Sequence, residues 1–230
     1  MQITRTSKLA LTGFALMAGI ASAPVQAAAI SGLFNTGTNA LNVALGGDGL
    51  VDTHYTILSS TSPGFAGQPA ITYSNGAYVA NDADSRWISL SGTGNPGSNT
   101  TVYRTTFDLT GLDPLTAQLT GRFGADNQGT IFLNGANTGN STTNFSFLTA
   151  FTIGSGFIAG LNTLYIRVSD FGAPTAFRID DFAGTASTIS AVPEPETYAM
   201  MLAGLGLLGF AARRKKLAQA QASQDAAVQG

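Results

Sequence analysis

Residues Thr101–Leu109, TVYRTTFDL, decide the fold class, because Tyr103, Thr105, Phe107 and Leu109 fall on one side of an extended chain. Successive side chains of a strand point to opposite faces, so this period of two marks a strand with one packed and one wetter face. The same period runs through LTAQLTGRF, where Leu115, Ala117, Leu119 and Phe123 share a face. In TLYIRVSD it sets Leu164, Ile166 and Val168 against Tyr165, Arg167 and Ser169. Working outward, the runs are separated by GGDG, NPGSN, GLDP and LNGANTGN, in which glycine and asparagine permit positive φ and proline presets it. Asn134–Gly135 reads as a tight hairpin, and Asp126 and Asn127 as the start of the strand leading to it. The segment Ser59–Ser74 is expected to be a long loop leading into a strand near Ala70, and LSGTGNPGSNT a second loop. No segment before Pro193 has a long helical period and no internal repeat is apparent. Short strands at this spacing predict an all-β protein, an antiparallel β-sandwich of jelly-roll type.

The two ends have a different character. Arg5 and Lys8 precede the apolar stretch LALTGFALMAGIASA, and Val25 and Ala27 place small residues for cleavage before Ala28. This is a signal peptide over residues 1–27, an N-terminal signal helix lost on export. Cleavage at Ala23 would leave Pro24 just after the cut, where its missing N–H and fixed φ suit a peptidase groove poorly. At the other end stand Pro193, Glu194 and Pro195, an apolar run from Tyr198 to Ala212, and the basic cluster Arg213, Arg214, Lys215 and Lys216. The run is read as a transmembrane helix over 198–212, although fifteen residues at ~1.5 Å rise cover roughly 22 Å of a ~30 Å hydrocarbon core. Snorkelling of Arg213 and Lys215 or local thinning covers the difference, and the basic cluster stays cytoplasmic. The predicted division is therefore a signal peptide (1–27), a leader (28–41), the sandwich (42–186), a linker with Pro-Glu-Pro (187–197), the helix (198–212) and a basic stop-transfer segment with cytoplasmic tail (213–230).

Between these ends, residues 28–192 carry five arginines against ten aspartates, with no lysine and no glutamate, a formal charge of −5. The basic footprint that phosphate-backbone binding requires is missing, which excludes nucleic acid. The chain has no cysteine and a single histidine, His54, which removes disulfides and the usual zinc ligand sets. His54 has no G-x-S-x-G elbow to serve, and the body holds no glutamate for a glycosidase pair. Asp82 with Asp84, and Asp180 with Asp181, are the aspartates available, but adjacent residues of a regular strand face opposite ways, so the second pair cannot act on one face. GLGLLG, with Gly204, Gly206 and Gly209, matches a dinucleotide fingerprint but has no preceding strand and no βαβ unit, so it is read as close-packing residues of a lipid-embedded helix. No catalytic constellation is complete, and the body is read as non-catalytic.

Two resemblances follow from these residues. The succession SRWISL, VYRTTFDLTGL, FGADNQGTIFLNG and FIAGLNTLYIRVSD resembles the galactose-binding-like β-sandwich, a fold of many carbohydrate-binding modules, from about Asn42 to Thr185. The ending is similar to the PEP-CTERM sorting signal of Gram-negative bacteria that make extracellular polysaccharide. It departs from that signal in the added LAQAQASQDAAVQG after the basic cluster. That resemblance implies transient anchoring in the inner membrane, processing near Pro-Glu-Pro by an exosortase, a membrane-embedded cysteine transpeptidase, and delivery to the cell surface or biofilm matrix. Carbohydrate binding, to exopolysaccharide or another glycan, is the implied role. Alternatives are a matrix or adhesion protein that binds other proteins, and an aspartate-based glycoside hydrolase.

Sugar sites stack a ring on an exposed aromatic and read hydroxyls with Asp, Asn and Arg. Trp87, Arg122, Asp126 and Asn127 are the candidates, each with an ordinary structural use as well: core filling for Trp87, turn fixing for Asp126 and Asn127. Tyr103 shares the face of Phe107 and reads as core. A structural calcium is a separate candidate cofactor, for which aspartates at loops and strand ends, Asp48, Asp126 and Asp180 foremost, supply hard oxygen ligands.

Overall fold

The computed structural model describes residues 26–94, 97–189 and 195–228. The signal peptide up to Val25, and Pro193 and Glu194 of the sorting motif, lie outside the described residues. The body is built from β1 (Ala27–Ala29), β2 (Val51–Ser60), β3 (Pro69–Thr72), β4 (Ile88–Ser89), β5 (Asn99–Asp108) and β6 (Gln118–Asp126). It continues with β7 (Gln128–Leu133), β8 (Ala136–Thr142), β9 (Thr149–Ile153), β10 (Leu161–Asp170) and β11 (Ala176–Ser187). All pairings among these strands are antiparallel. Their order is β8-β7-β10-β5-β2-β3-β4-β11-β6-β9, with β1 added beside β11. The first five strands form one layer and the last four the other, joined through β3, which gives the sandwich expected from the alternation.

The core lies between the layers, and the alternating faces fill it. Tyr103, Phe107 and Leu109 meet Leu164, Ile166 and Val168 on one layer, and Leu119, Phe123, Phe177 and Ile179 on the other; all are buried. Phe177 ties the layers together, its ring centroid 4.4 Å from Tyr103 and 5.7 Å from Tyr55. Burying one such side chain contributes about 1.5–3 kcal/mol. The hairpin at Asn134–Gly135 is as read, with φ of 51° and 87° joining β7 to β8. Leu115 departs from its expected face and is 90% exposed. Pro114 opens a 3₁₀ turn capped by the Asp113 side chain, which accepts from the Leu115 N–H, so the strand begins only at Gln118. The segment 28–41, read as a leader, also joins the packed unit: Ile30, Asn35, Thr36 and Thr38 are buried, and Ala27 and Ala28 of the expected cleavage site lie in β1, opposite Ser187 and Ala186.

A second, smaller core covers the outer face of β11 at its start. Tyr73, Tyr78 and Trp87 pack with Ala176, supported by Val79, Phe145 and Leu148. The covering segment, residues 73–87, presses on β6 at Gly124, where an added Cβ would come within 2.8 Å of Trp87. Only glycine leaves that room. The chain divides into two units, the body ending at Thr188 and the tail beginning at Ile189. The tail holds one helix, α1 (Pro195–Val228), with Pro195 as its first residue. It runs through the apolar stretch, the basic cluster and beyond instead of ending at Ala212. A transmembrane helix over 198–212 was expected, but among the described residues no helix is long and apolar enough to cross a membrane, since four charges cut the apolar run short; α1 is compatible with a terminal anchor.

Candidate ligand cleft

At the pole where β6, β7, β10 and β11 turn over, a depression of about 410 Å³ is walled by Tyr78, Asp126, Asn127, Phe145, Phe171 and Pro174. Asp126 ends β6 and Asn127 forms the corner before β7, so the expected strand start is instead a strand end and a turn. The reason is local: the Asn127 N–H donates to the Ser169 carbonyl (3.2 Å), and its Oδ1 accepts from the Phe171 N–H (2.8 Å). Asn127 thus fastens the loop after β10. The Ser98 hydroxyl holds Phe171 from the other side, donating to its carbonyl at 2.8 Å. With its backbone held at both ends, the Phe171 side chain remains 66% exposed, an aromatic face beside an amide and a carboxylate.

The floor is acidic. The Tyr78 hydroxyl donates to Asp126 Oδ2 (2.9 Å) and approaches the Pro174 carbonyl (3.3 Å). Burial pushes the Tyr78 phenol far above its ordinary range, and the Asp126 charge adds to that. Burial also raises Asp126, partly offset by the Tyr78 hydrogen bond. Asp170, next along, is raised by burial and by the charge of Asp126, against the hydrogen bond it accepts from the Gly172 N–H at 3.0 Å. Tyr78 is itself set by rings, its centroid 4.6 Å from Trp87 and 5.6 Å from Phe145.

Of the four residues nominated for a ligand, the fold brings Asp126 and Asn127 to the cleft and places the other two elsewhere. Trp87 is 1% exposed, with its indole N–H donating to the Val79 carbonyl (2.8 Å). It is a wall of the second core and offers no platform. Arg122 is bound on the outer face of β6, its Nη2 2.6 Å from Asp180 Oδ2 and 2.8 Å from Asp181 Oδ2. This corrects the expectation that the adjacent aspartates cannot share a face. A bulge between Asp180 and Ala183, with Asp181 at φ 51°, breaks the alternation and turns both carboxylates to one guanidinium. Phe171 was missed because it sits in no alternating run. The signal available was an aromatic inside a turn, DFGAP. His54, also considered for catalysis, stacks on Phe34 at 3.6 Å between ring centroids.

The three acids nominated for calcium have separate partners: Asp48 with Arg86 and Ser74, Asp126 with Tyr78, Asp180 with Arg122 and Ser85. A different trio, Asp82, Asp84 and Asp180, brings its carboxylate oxygens within 4.8 Å of one another. Guanidinium groups already serve two of them, Asp82 and Asp180. Arg178, 1% exposed, reaches Asp82 through Nη2, Ser85 Oγ through Nε (2.9 Å) and the Ala80 carbonyl through Nη1 (2.5 Å), and lies 3.8 Å from Asp180. Burial raises Asp82, but the Arg178 charge and the hydrogen bonds from its neighbours, Ser85 and Arg178 among them, together outweigh it and leave the carboxyl below its ordinary range. The donor set therefore suits arginine, a cation of fixed fork geometry, and does not fit calcium without displacing it.

Comparison with known proteins adds the tail. No curated protein matches the chain. Among solved structures, it is similar to a CBM35 from Paenibacillus barcinonensis, at 18% identity over 63% of this chain and 100% of that one, with a TM-score of 0.31. Residues 191–215 match the PEP-CTERM protein-sorting motif, which implies an exported protein with membrane-associated processing by an exosortase.

Proposed function

We propose that the body is a non-catalytic glycan-binding module of the cell surface or extracellular matrix, and that the cleft at Phe171 is its binding site. The observation that carries this reading is the exposed Phe171, its backbone tied to Asn127, in a cleft it shares with the Asn127 amide and the Asp126 carboxylate. A pyranose presents a C–H face to an aromatic ring and hydroxyls at its rim. The ring supplies contact at low entropic cost, and Asn127 Nδ2 and Asp126 Oδ1, neither hydrogen-bonded within the described residues, supply a donor and an acceptor. The position of the cleft agrees with a tethered protein. Ala176 borders the cleft end of β11 and Ser187 lies at its other end, eleven residues and roughly 35 Å along the strand. The body ends at Thr188, so the joining point of the tail is remote from the ligand.

A second reading, docking of another protein, is favoured by one feature. On the outer face of β10 and β7, Val102, Phe132, Tyr165 and Arg167 line an apolar hollow of about 210 Å³, with the Arg167 guanidinium 5.2 Å from the Phe132 ring centre. Affinity electrophoresis of the full chain through gels containing neutral polysaccharides separates the two. Glycan binding at the cleft predicts retardation that Phe171→Ala abolishes and Tyr165→Ala leaves intact. Equal mobility of all three chains in every gel contradicts it.

A further inference from the structure

Phe171 also lines a second polar hollow. This one, about 370 Å³, is lined by Ser98, Thr100, Gln128, Ser169 and Asp170 as well as Phe171. The two hollows alternate along the same chain segments: Asn127 faces the first and Gln128 the second, while Asp170 lines the second and Gly172 the first. The residue common to both is Phe171, whose backbone is clamped by Asn127 on one flank and Ser98 on the other. With the Phe171 backbone held on both flanks, the loop has little backbone freedom left to lose on binding.

Charge narrows what can lie there. Across both hollows the lining includes two carboxylates, Asp126 and Asp170, and no basic residue. The arginines of the body are engaged or on other faces: Arg86 with Asp48, Arg122 with Asp180 and Asp181, Arg178 with Asp82, and Arg104 and Arg167 on the outer side of β5 and β10. A uronate or sulfated sugar would meet two negative groups with no countercharge. An uncharged sugar would meet acceptors for its hydroxyls, with Thr100, Gln128 and Ser169 supplying donors.

We propose that the two hollows that share Phe171 form one groove that takes two successive units of an uncharged glycan chain, with the Phe171 ring as their shared platform. This rests on the glycan-binding reading and adds length and charge selectivity to it. The groove then contains two subsites: one at Asn127 and Asp126, the other at Gln128 and Ser169.

The test is calorimetric titration of the full chain in detergent with neutral gluco- and galacto-oligosaccharides of one to four units, and with oligogalacturonates of the same lengths. Binding is expected to tighten about tenfold from one unit to two and to level off thereafter, a step equal to about 1.4 kcal/mol. Gln128→Ala is expected to remove most of that step while leaving one-unit binding unchanged. Its circular dichroism and melting temperature serve as the check that it folds. Oligogalacturonates are expected to bind more weakly than neutral chains at every length. If one unit binds as tightly as four, or Gln128→Ala changes nothing, the two-subsite groove is wrong while a glycan site survives. Preference for oligogalacturonates overturns the charge argument. Absence of binding to every oligosaccharide overturns both the groove and the glycan reading.

Discussion

β10 and β11 are both long interior strands flanked by partners on each side, yet only β10 keeps its alternation. Along β10, Leu164, Ile166 and Val168 face the core, and Tyr165 and Arg167 face outward, the first half-buried and the second exposed. Along β11, residues 176–180 are buried on both faces, because the segment 73–87 lies over the outward side. Beneath it, Arg178 and Asp180 are taken out of water as a network, and the bulge at Asp181 follows directly. The same covering segment supplies Tyr78 to the cleft. The difference teaches that the outer face of a sandwich gains chemistry where a loop closes over it, and that buried charge marks the place.

The sharpest way to break the contrast is to remove the arginines. Arg178→Ala leaves buried carboxylate and hydroxyl groups without their partner and is expected to cost about 3–5 kcal/mol in urea denaturation. Arg167→Ala on β10 loses only an exposed contact with Phe132 and is expected to cost about 0.5 kcal/mol. Equal costs would mean that the cover over β11 carries no weight. A smaller effect is expected at Gly124, where Gly124→Ala pushes Trp87 outward and costs about 1–3 kcal/mol. Trp87 is the one tryptophan of the chain, so its emission reports the displacement as a shift to longer wavelength. Gly154→Ala, with nothing within 4 Å of the new Cβ, is the matching control and is expected to stay within about 0.5 kcal/mol.

These contrasts also explain what could be read from the sequence. β5, β10 and the Asn134–Gly135 hairpin were legible because a strand with one dry face writes its geometry as a period of two, and a tight turn demands φ values that Asn and Gly permit. Leu115 kept the period but not the place, since Pro114 and Asp113 start a turn there. Asp180 and Asp181 were misread because a bulge is a matter of pairing between strands, invisible within one. Asp126 and Asn127 were found through their residue types, although the corner they form follows from hydrogen bonds to β10 and its loop. Phe171 escaped since a ring in a turn has no period, and its exposure depends on what the fold leaves uncovered.

The acidic floor gives a pH-dependent effect. Asp126 binds its proton more tightly in the folded chain than at the ordinary value of 3.8, so its share of stability is fully present below that value. It is lost as pH rises through the raised native value. Asp126→Asn is expected to flatten this part of the melting-temperature profile and to match or exceed the wild type at neutral pH. A fall in its melting temperature at neutral pH would contradict the sign. The smallest effect is expected from calcium: with Arg178 and Arg122 on the carboxylates of β11 and the covering segment, neither added calcium nor a chelator should change the melting temperature. A rise with calcium would show that the ion displaces an arginine.

The cleft itself is tested most directly by hydrogen–deuterium exchange of the full chain with and without a tetrasaccharide of a neutral polysaccharide that retards it in gels. Protection is expected to be confined to residues 126–128 and 169–174, the two segments joined by the Asn127–Phe171 hydrogen bond. Protection instead along β7 and β10 around Phe132 and Tyr165, with the Phe171 loop unchanged, would place the ligand on the open face of the sheet and contradict it.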